Sequence, residues 1–375
     1  MAKSLKAFLQ KTYPDAMDTD IISEVRYLNT EIPTVNYVIS GKPLTGGLPL
    51  TGKITIMYGP EGCGKTSFVV HMIARAQRAS IDVVYIDTER SITRPRLEQF
   101  GVNVEELNYL TPETMEECFD IIEAVCREKM ASGDREPVLI VWDSIAMTPT
   151  SDEINRTSED VEIASQARVL TRNLRRIRGK IKRIEASLLL VNQARANQAR
   201  FGDLFTMPGG YALHHAADVI LRVNRVKPDE SGQGIKISTP IKNRLFRPFQ
   251  STTLRFEYTD GFTKENIVDA FCDFLKDIEI LGTAGPYCYL ETDVQRIAKS
   301  EGIDSREAVK KADKFFKKDF VKRLIEDQDY YSEMLRVAEE YVNTNIAKVS
   351  QILLDKELTE EELKSIDGES GGVIQ

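Results

Sequence analysis

Residues 59–66 read GPEGCGKT, which fits the spacing G-x-x-x-x-G-K-[ST]. A loop of this kind turns successive backbone N–H groups onto phosphate oxygens, and it needs glycine wherever a Cβ would block the approach. Gly59, Pro60, Glu61, Gly62, Cys63 and Gly64 would form the cradle, with Ser67 just beyond it. Lys65 would reach the β- and γ-phosphates, and the Thr66 hydroxyl would bind Mg2+. The apolar run KITIMY precedes the loop and the helix-like TSFVVHMIARA follows it, so a helix N-terminus would face the phosphates.

Three other candidates end apolar runs. Asp143 closes VLIVWD, and the C-terminal tip of a parallel strand is where a doubly wound sheet presents ligands. It would hold Mg2+ through water beside Thr66, the plainer alternative being a solvated strand end; Ser144 could add a hydrogen bond. Glu89, in VVYIDTE, is a candidate base for polarising an attacking water near a γ-phosphate, while Asp87 is better placed to cap or pair. Gln193 follows LLLVN. Its amide either senses a γ-phosphate or joins Asn192 in satisfying backbone groups at the sheet end.

Residues 165–200 hold ten Lys/Arg against one acid, Glu185. Arg168, Arg172, Arg175 and Arg176 fall at i, i+4, i+7 and i+8, making one basic helical stripe. A charge run is usually a solvated face. Here, however, a long polar loop follows, carrying Arg195, Arg200, Phe201, Phe205, Met207, Gly209 and Gly210. Cations that neutralise phosphates, next to apolar side chains that slip between bases, are the ingredients of single-strand binding. Lys242 and Arg244 follow the run GIKISTPI and could reach a phosphate across a subunit boundary.

The elements that must position these residues alternate. Strands are expected at 53–58, 83–87, 138–143, 188–193, 219–224, 235–241 and 254–258, and helices at 65–78, 94–100, 114–130 and 161–185. Val/Ile/Leu-rich strands separated by helices imply a mostly parallel, buried sheet covered on both faces. The closely spaced later strands imply an antiparallel extension. Residues 1–20 suggest a short amphipathic helix, with Leu5, Phe8 and Leu9 on one stripe, that docks on its own core or on a neighbouring subunit. Beyond 262 the pattern turns helical, at 264–280, 292–300, 305–327 and 329–356, with β signal around 287–290. The expected organisation is an N-terminal helix and linker (1–30), an ATPase core (31–262), a small α-rich domain (263–354) and an acidic tail (355–375).

Composition bounds the rest. The chain has 375 residues, 42% of them hydrophobic and 29% charged, which is ordinary globular composition. Five cysteines without a C-x-x-C pair fit neither a disulfide framework nor a zinc ribbon. The N-terminus is too polar for a signal peptide and the apolar runs are too short to span a bilayer, so a cytoplasmic protein is expected. The net charge of −8 argues against a wholly nucleic-acid-gripping surface, but it averages over segments. Between Asp355 and Glu369 there are seven acids and two bases, and such a tail could compete with DNA for the cations.

With these residues in hand, the chain resembles the RecA family of ATP-dependent DNA recombinases. GLPLTGKITIMYGPEGCGKTS, VVYIDTE, LIVWDSIAMTP, LLLVNQAR, GGYALHHAADVILRV and IKNRLFRPF occur in that family's order and at close to its spacing. The implied fold is α/β: a P-loop core with a mostly parallel sheet flanked by helices, a short N-terminal helix and a small C-terminal domain.

The resemblance implies ATP and Mg2+ as cofactors, bound by Lys65, Thr66 and Asp143, with Glu89 as the catalytic glutamate. It makes Gln193 the γ-phosphate sensor leading into a DNA-binding loop at 194–208, with a first loop near 153–162. Arg168, Arg175 and Arg176 match DNA-facing residues, and Lys242 and Arg244 match two lysines that reach the adjacent subunit's nucleotide. The family's adenine-stacking tyrosine aligns with Arg96, and its interface phenylalanine with His215. The implied function is ATP-dependent strand exchange by a helical filament on single-stranded DNA, pairing it with homologous duplex. Single-strand-binding and loader proteins would be partners, in a bacterial cell or a phage-infected host, at the nucleoid. A hexameric helicase on the same fold, a mediator or paralogue that modulates another recombinase, and a small-molecule kinase are the alternatives.

Overall fold

The computed structural model describes residues 5–12, 25–155, 165–196, 205–208, 210–346, 348–349 and 352–353. Eight strands form the central sheet: β1 (Lys53–Gly59), β2 (Asp82–Asp87), β3 (Asn108–Leu110), β4 (Val138–Asp143), β5 (Ala186–Gln193), β6 (Val219–Val226), β7 (Gly232–Ser238) and β8 (Ser251–Glu257). Their spatial order is β8-β7-β6-β1-β5-β4-β2-β3. The six strands from β6 to β3 run parallel, and β7 and β8 extend the sheet antiparallel. The expected fold class is what the chain adopts.

Period-2 alternation assigns the strand side chains to two cores. Met57, Val83, Tyr85, Leu139, Val141, Leu189 and Val191 point to one face, where α3 (Lys65–Arg78) packs with Phe68, Val69 and Met72. Ile54, Ile56, Val84, Ile140, Trp142, Leu188 and Leu190 point to the other face. There they meet α5 (Met115–Ser132) and α6 (Ser165–Arg183), and also Leu213 of α7 (Gly210–Ala216). Phe119 stands edge-on to Trp142 at 5.2 Å, both fully buried. Each such side chain contributes about 1.5–3 kcal/mol through burial. A capping box starts α5: the Thr114 hydroxyl accepts from Glu117 N–H (3.2 Å), and the Glu117 carboxylate accepts from Thr114 N–H (3.3 Å).

Some elements were not expected. The helix α2 (Pro33–Ser40) is buried on every side. Its Val35 and Ile39 join the α3 core, while Tyr37 joins a third core formed with Val268, Phe271, Phe274 and Leu275. Such a helix has no polar face, so no amphipathic period marks it. The expected helix 305–327 is two helices, Ser305–Lys311 and Lys317–Glu326, because Phe315–Phe316 pairs with the strand Tyr287–Leu290. The Phe316 ring packs tilted against that of Tyr287 at 4.7 Å, and this tertiary pairing overrides helical propensity.

The N-terminal helix, α1 (Leu5–Thr12), leaves Leu5 71% and Phe8 58% exposed, so the core formed by the described residues does not cover them. No helix among the described residues is long and apolar enough to cross a membrane. All five cysteines are buried and free.

Candidate functional site

The phosphate-type loop lies where the sheet needs it, between the end of β1 and the start of α3. Gly64 takes φ 97°, and a Cβ there would lie 2.5 Å from Ile235 Cδ1. A Cβ on Gly59 would lie 2.0 Å from the Val223 carbonyl oxygen, so no larger residue fits either position. Lys65 is 8% exposed, and its Nζ donates to the carbonyls of Gly59 (3.0 Å) and Pro60 (2.7 Å). The Cys63 thiol sits behind the loop, and burial pushes its pKa up against the pull of Lys65. A cation held among backbone carbonyls at a helix N-terminus suits a phosphate chain. Glu61 is exposed on the loop and Ser67 partly buried on α3.

Thr66 Oγ1 donates to Asp143 Oδ2 at 2.9 Å. Asp143 is almost wholly buried, and burial pushes its carboxyl up to about 7; the Thr66 hydrogen bond opposes that, while Glu89 and Asp87 add to it. A desolvated carboxylate beside a hydroxyl is a hard oxygen pair that a divalent cation would stabilise. No cluster of three His, Cys, Asp or Glu placed for a metal exists among the described residues. The pair therefore fits Mg2+, which keeps waters and takes phosphate oxygens, better than a cation needing a full protein cage.

Glu89 is aimed by the turn after β2. Asp87 Oδ1 accepts the N–H groups of Glu89 (3.1 Å) and Arg90 (2.8 Å), and its Oδ2 accepts from the Tyr109 hydroxyl (2.8 Å). Burial, with Asp87 beside it, raises the Tyr109 phenol to about 12. Glu89 Oε1 accepts from Ser144 Oγ and from Gln193 Nε2 (3.3 Å). Asn192 satisfies local backbone, accepting from Gln193 N–H (3.0 Å) and donating to the Pro208 carbonyl (2.8 Å). Ala194 N–H bonds the Gly59 carbonyl at 2.9 Å, so the segment after Gln193 is tied to the first residue of the phosphate-type loop. Five expected residues, Lys65, Thr66, Asp143, Glu89 and Gln193, thus lie in one bonded group across β1, β2, β4 and β5.

Lys242 and Arg244 stand elsewhere. Lys242 Nζ donates to the His214 carbonyl (2.5 Å), and Arg244 pairs with Asp218 at 3.2 Å. Burial, then Arg244, lowers the Lys242 pKa. Neither bonds to the group around Lys65.

The basic helix α6 buries Leu170, Leu174, Ile177 and Ile181 and exposes Arg168, Arg172, Arg175 and Arg176. The stripe is not uniform, because Arg176 pairs with Glu123 (2.8 Å) and Asp120 (3.6 Å) of α5. Arg172 and Arg175 have no ion pair among the described residues. Arg195 lies in a two-residue strand paired with Phe205–Thr206, so the expected loop is rooted in a short antiparallel ladder. Arg200, Phe201, Gly209 and most of 153–162 lie outside the described residues, and Gly210 begins α7.

One expectation needs correction, and a second meets competing contacts. Met207, read as a side chain for slipping between bases, is 8% exposed and packed in the core with Leu213 and Ile220. Arg96 of α4 (Arg94–Gln99), read as the adenine contact, lies 4.3 Å over the Phe100 ring and donates to the Tyr258 carbonyl at 2.8 Å. Stacking on a base would require breaking both contacts. Sequence reasoning also missed the support of Glu89 by Tyr109 through Asp87; the edge strand β3 that carries Tyr109 has only three residues and no burial alternation.

This sheet order, with a glycine-cradled lysine at the β1–α3 junction, defines the P-loop class of α/β proteins. A model of the RecA N-terminal domain matches residues 24–263, and the chain belongs to the RecA family. It is 34% identical to Protein RecA of Clostridium perfringens strain 13 over 230 residues, covering 60% of this chain and 63% of that protein. Against Protein RecA of Herpetosiphon aurantiacus it is 31% identical over 278 residues, 72% of this chain and 75% of that one. Against Protein RecA of Bacillus subtilis strain 168 it is 32% identical over 253 residues, 66% and 70%. The chain thus spans a little under two thirds of the length of the first curated relatives it matches.

Proposed function

We propose that the chain is a DNA-dependent ATPase of homologous recombination, forming an ATP-dependent filament on single-stranded DNA and pairing it with homologous duplex. The observation that carries this reading is the junction at Glu89. The carboxylate suited to orienting water is bonded to Gln193, the last residue before the 194–208 segment, whose described ends pair as Arg195–Ala196 with Phe205–Thr206. Membership of a family whose relatives are named RecA supports it.

Each role follows from a side chain already placed. Lys65 and the N–H groups of the loop neutralise and align the triphosphate. Thr66 and Asp143 would hold Mg2+, which would supply positive charge to the phosphate oxygens. Glu89 orients the attacking water, and Ser144 steadies the carboxylate by donating to its Oε1. Gln193 exchanges its bond to Glu89 for one to the γ-phosphate, so the root of the 194–208 segment responds to that charge. Lys242 and Arg244 leave the His214 carbonyl and Asp218 to reach the nucleotide of the next subunit in a head-to-tail contact, which gives an open helix. Nucleotide then favours the DNA-binding arrangement by differential contact, and hydrolysis reverses it. Arg172 and Arg175, with Arg168, take strand phosphates.

On this reading residues 31–262 are the motor, 263–354 an appended domain and 355–375 an acidic tail. The work is cytoplasmic, at the nucleoid of a bacterium or in a phage-infected host, alongside single-strand-binding and loading proteins. The test is D-loop formation with homologous duplex, with and without ATP, read beside negative-stain images. Homology-dependent joints on open filaments are expected. Closed rings that unwind duplex without joint formation would replace this reading with a helicase.

A further inference from the structure

Tyr211 is the most exposed large apolar-bodied side chain on the described surface, at 83%. It stands in the first turn of α7, whose other apolar residues turn inward: Leu213 is fully buried and Ala216 nearly so. An aromatic ring left out of a core that has room for its neighbours is costly in water unless something covers it.

Its surroundings say what that would be. A cleft of about 320 Å³ runs between α6 and α7, lined by Thr171, Leu174, Arg175, Arg178, Tyr211 and His215. Its floor is apolar and its rim cationic. Arg178 is held in place, donating to the His215 carbonyl at 3.0 Å and lying 3.6 Å from Asp218. Arg175 has no ion pair among the described residues, and Arg172 adjoins it one turn away on the same helix. The Tyr211 ring lies 6.3 Å from that of His215, tilted 31°, so the two rings form a stepped aromatic wall. A flat apolar wall beside unpaired guanidinium groups complements a polyanion that carries flat apolar faces. That is a nucleic-acid strand with its bases unstacked.

We propose that Tyr211 is a base-stacking residue, taking on its exposed ring one base of the strand whose phosphates the α6 arginines hold on the reading above. The inference rests on the DNA-binding reading above and adds a contact to it. It also takes over the apolar role that the sequence pattern gave to Met207.

The experiment uses full-length protein with ATP and oligo(dT), and compares wild type, Tyr211→Ala, Tyr211→Phe and Tyr211→Trp by anisotropy across a salt series. The expected results are affinity about tenfold weaker for Tyr211→Ala, near-wild-type affinity for Tyr211→Phe, and no change in salt slope for either. On an oligonucleotide of the same length with abasic sites the Tyr211→Ala deficit should vanish. Trp142 is the chain's one tryptophan and is fully buried, so Tyr211→Trp introduces a surface reporter whose fluorescence stacking should quench. An equal deficit on abasic strand, a flattened slope, or an unquenched Tyr211→Trp on bound strand would overturn the stacking role. Those outcomes leave the DNA-binding reading intact, whereas wild-type protein that binds no oligo(dT) at any salt would end both.

Discussion

Gln193 Nε2 donates to Glu89 Oε1 across 3.3 Å, joining the end of β5 to the turn after β2. The same oxygen accepts from Ser144, which follows Asp143, so one carboxylate gathers three strand ends around the Lys65 loop. Residues that would orient water, hold metal and lead toward DNA are thereby one hydrogen-bonded unit, and substitutions within it should not act alike.

Glu89→Gln should lower ssDNA-stimulated ATP turnover by about 10²–10⁴, the range for a lost general base. The amide keeps partners for Ser144 and Gln193, so ATP-dependent ssDNA binding should persist. Lys65→Ala should lose both. Equal turnover in Glu89→Gln and wild type would remove Glu89 from the chemistry.

Gln193→Ala separates the two ends of the unit. Turnover without DNA should remain, while its stimulation by ssDNA should fall by about tenfold, the scale of a coupling free energy between sites. Steady-state ATPase with and without oligonucleotide reads this directly; unaltered stimulation would reduce Gln193 to a sheet-end residue.

The arginine stripe should be unequal. Neutralising Arg172 or Arg175 should each reduce the salt slope of ssDNA binding by about one. Arg176→Ala should change it less, because Glu123 and Asp120 already hold that guanidinium. Identical slopes for all three variants would mean that the α5 pairing dissolves when DNA binds.

His71 gives stability a pH dependence. It lies against Phe262 (5.3 Å between rings), and its Nε2–H donates to the Thr30 carbonyl at 2.7 Å. Burial drives its pKa down to about 4, against the opposing pull of Thr30 and Glu31. The unfolded chain, with a value near 6.5, binds the proton first, so stability is fully present above about pH 6.5 and falls as pH drops toward 4. The loss should be at most about 3 kcal/mol, and smaller to the extent that water reaches the ring. Denaturant melts of wild type and His71→Gln over that window should differ by this slope; parallel curves would contradict it.

Removing residues from about Asp355 onward should strengthen capture of duplex DNA, since the segment to Glu369 carries seven acids against two bases. Unchanged duplex affinity would make the tail inert.

What the sequence disclosed follows a pattern. Helix 65–78 and strand 138–143 were legible to the residue, because both are long, periodic and bounded by the loop chemistry. The site was legible because glycines, a lysine and acids at strand tips are local signals. The burial of Met207 and the contacts of Arg96 are not legible, for the opposite reason. Their types suit a surface role, but Met207 joins the buried cluster that includes Ile54 and Trp142, and Arg96 donates to the Tyr258 carbonyl, all partners far along the chain. Tyr211 carries no distinguishing mark in the sequence beside its two glycines, since exposure is a property of the fold.

The fully buried helix α2 carries a consequence for modularity. Val35 and Ile39 belong to the sheet's core and Tyr37 to the core of the C-terminal region, where its ring meets Phe274 at 5.0 Å. Glu339, from that same region, accepts both the Leu44 and Thr45 N–H groups just past the helix, at 2.8 and 2.9 Å. A seam riveted on both sides does not part as a linker would. Cutting the chain at 262 would strip one flank from a helix that has no wet side, so the two regions should melt as one cooperative block.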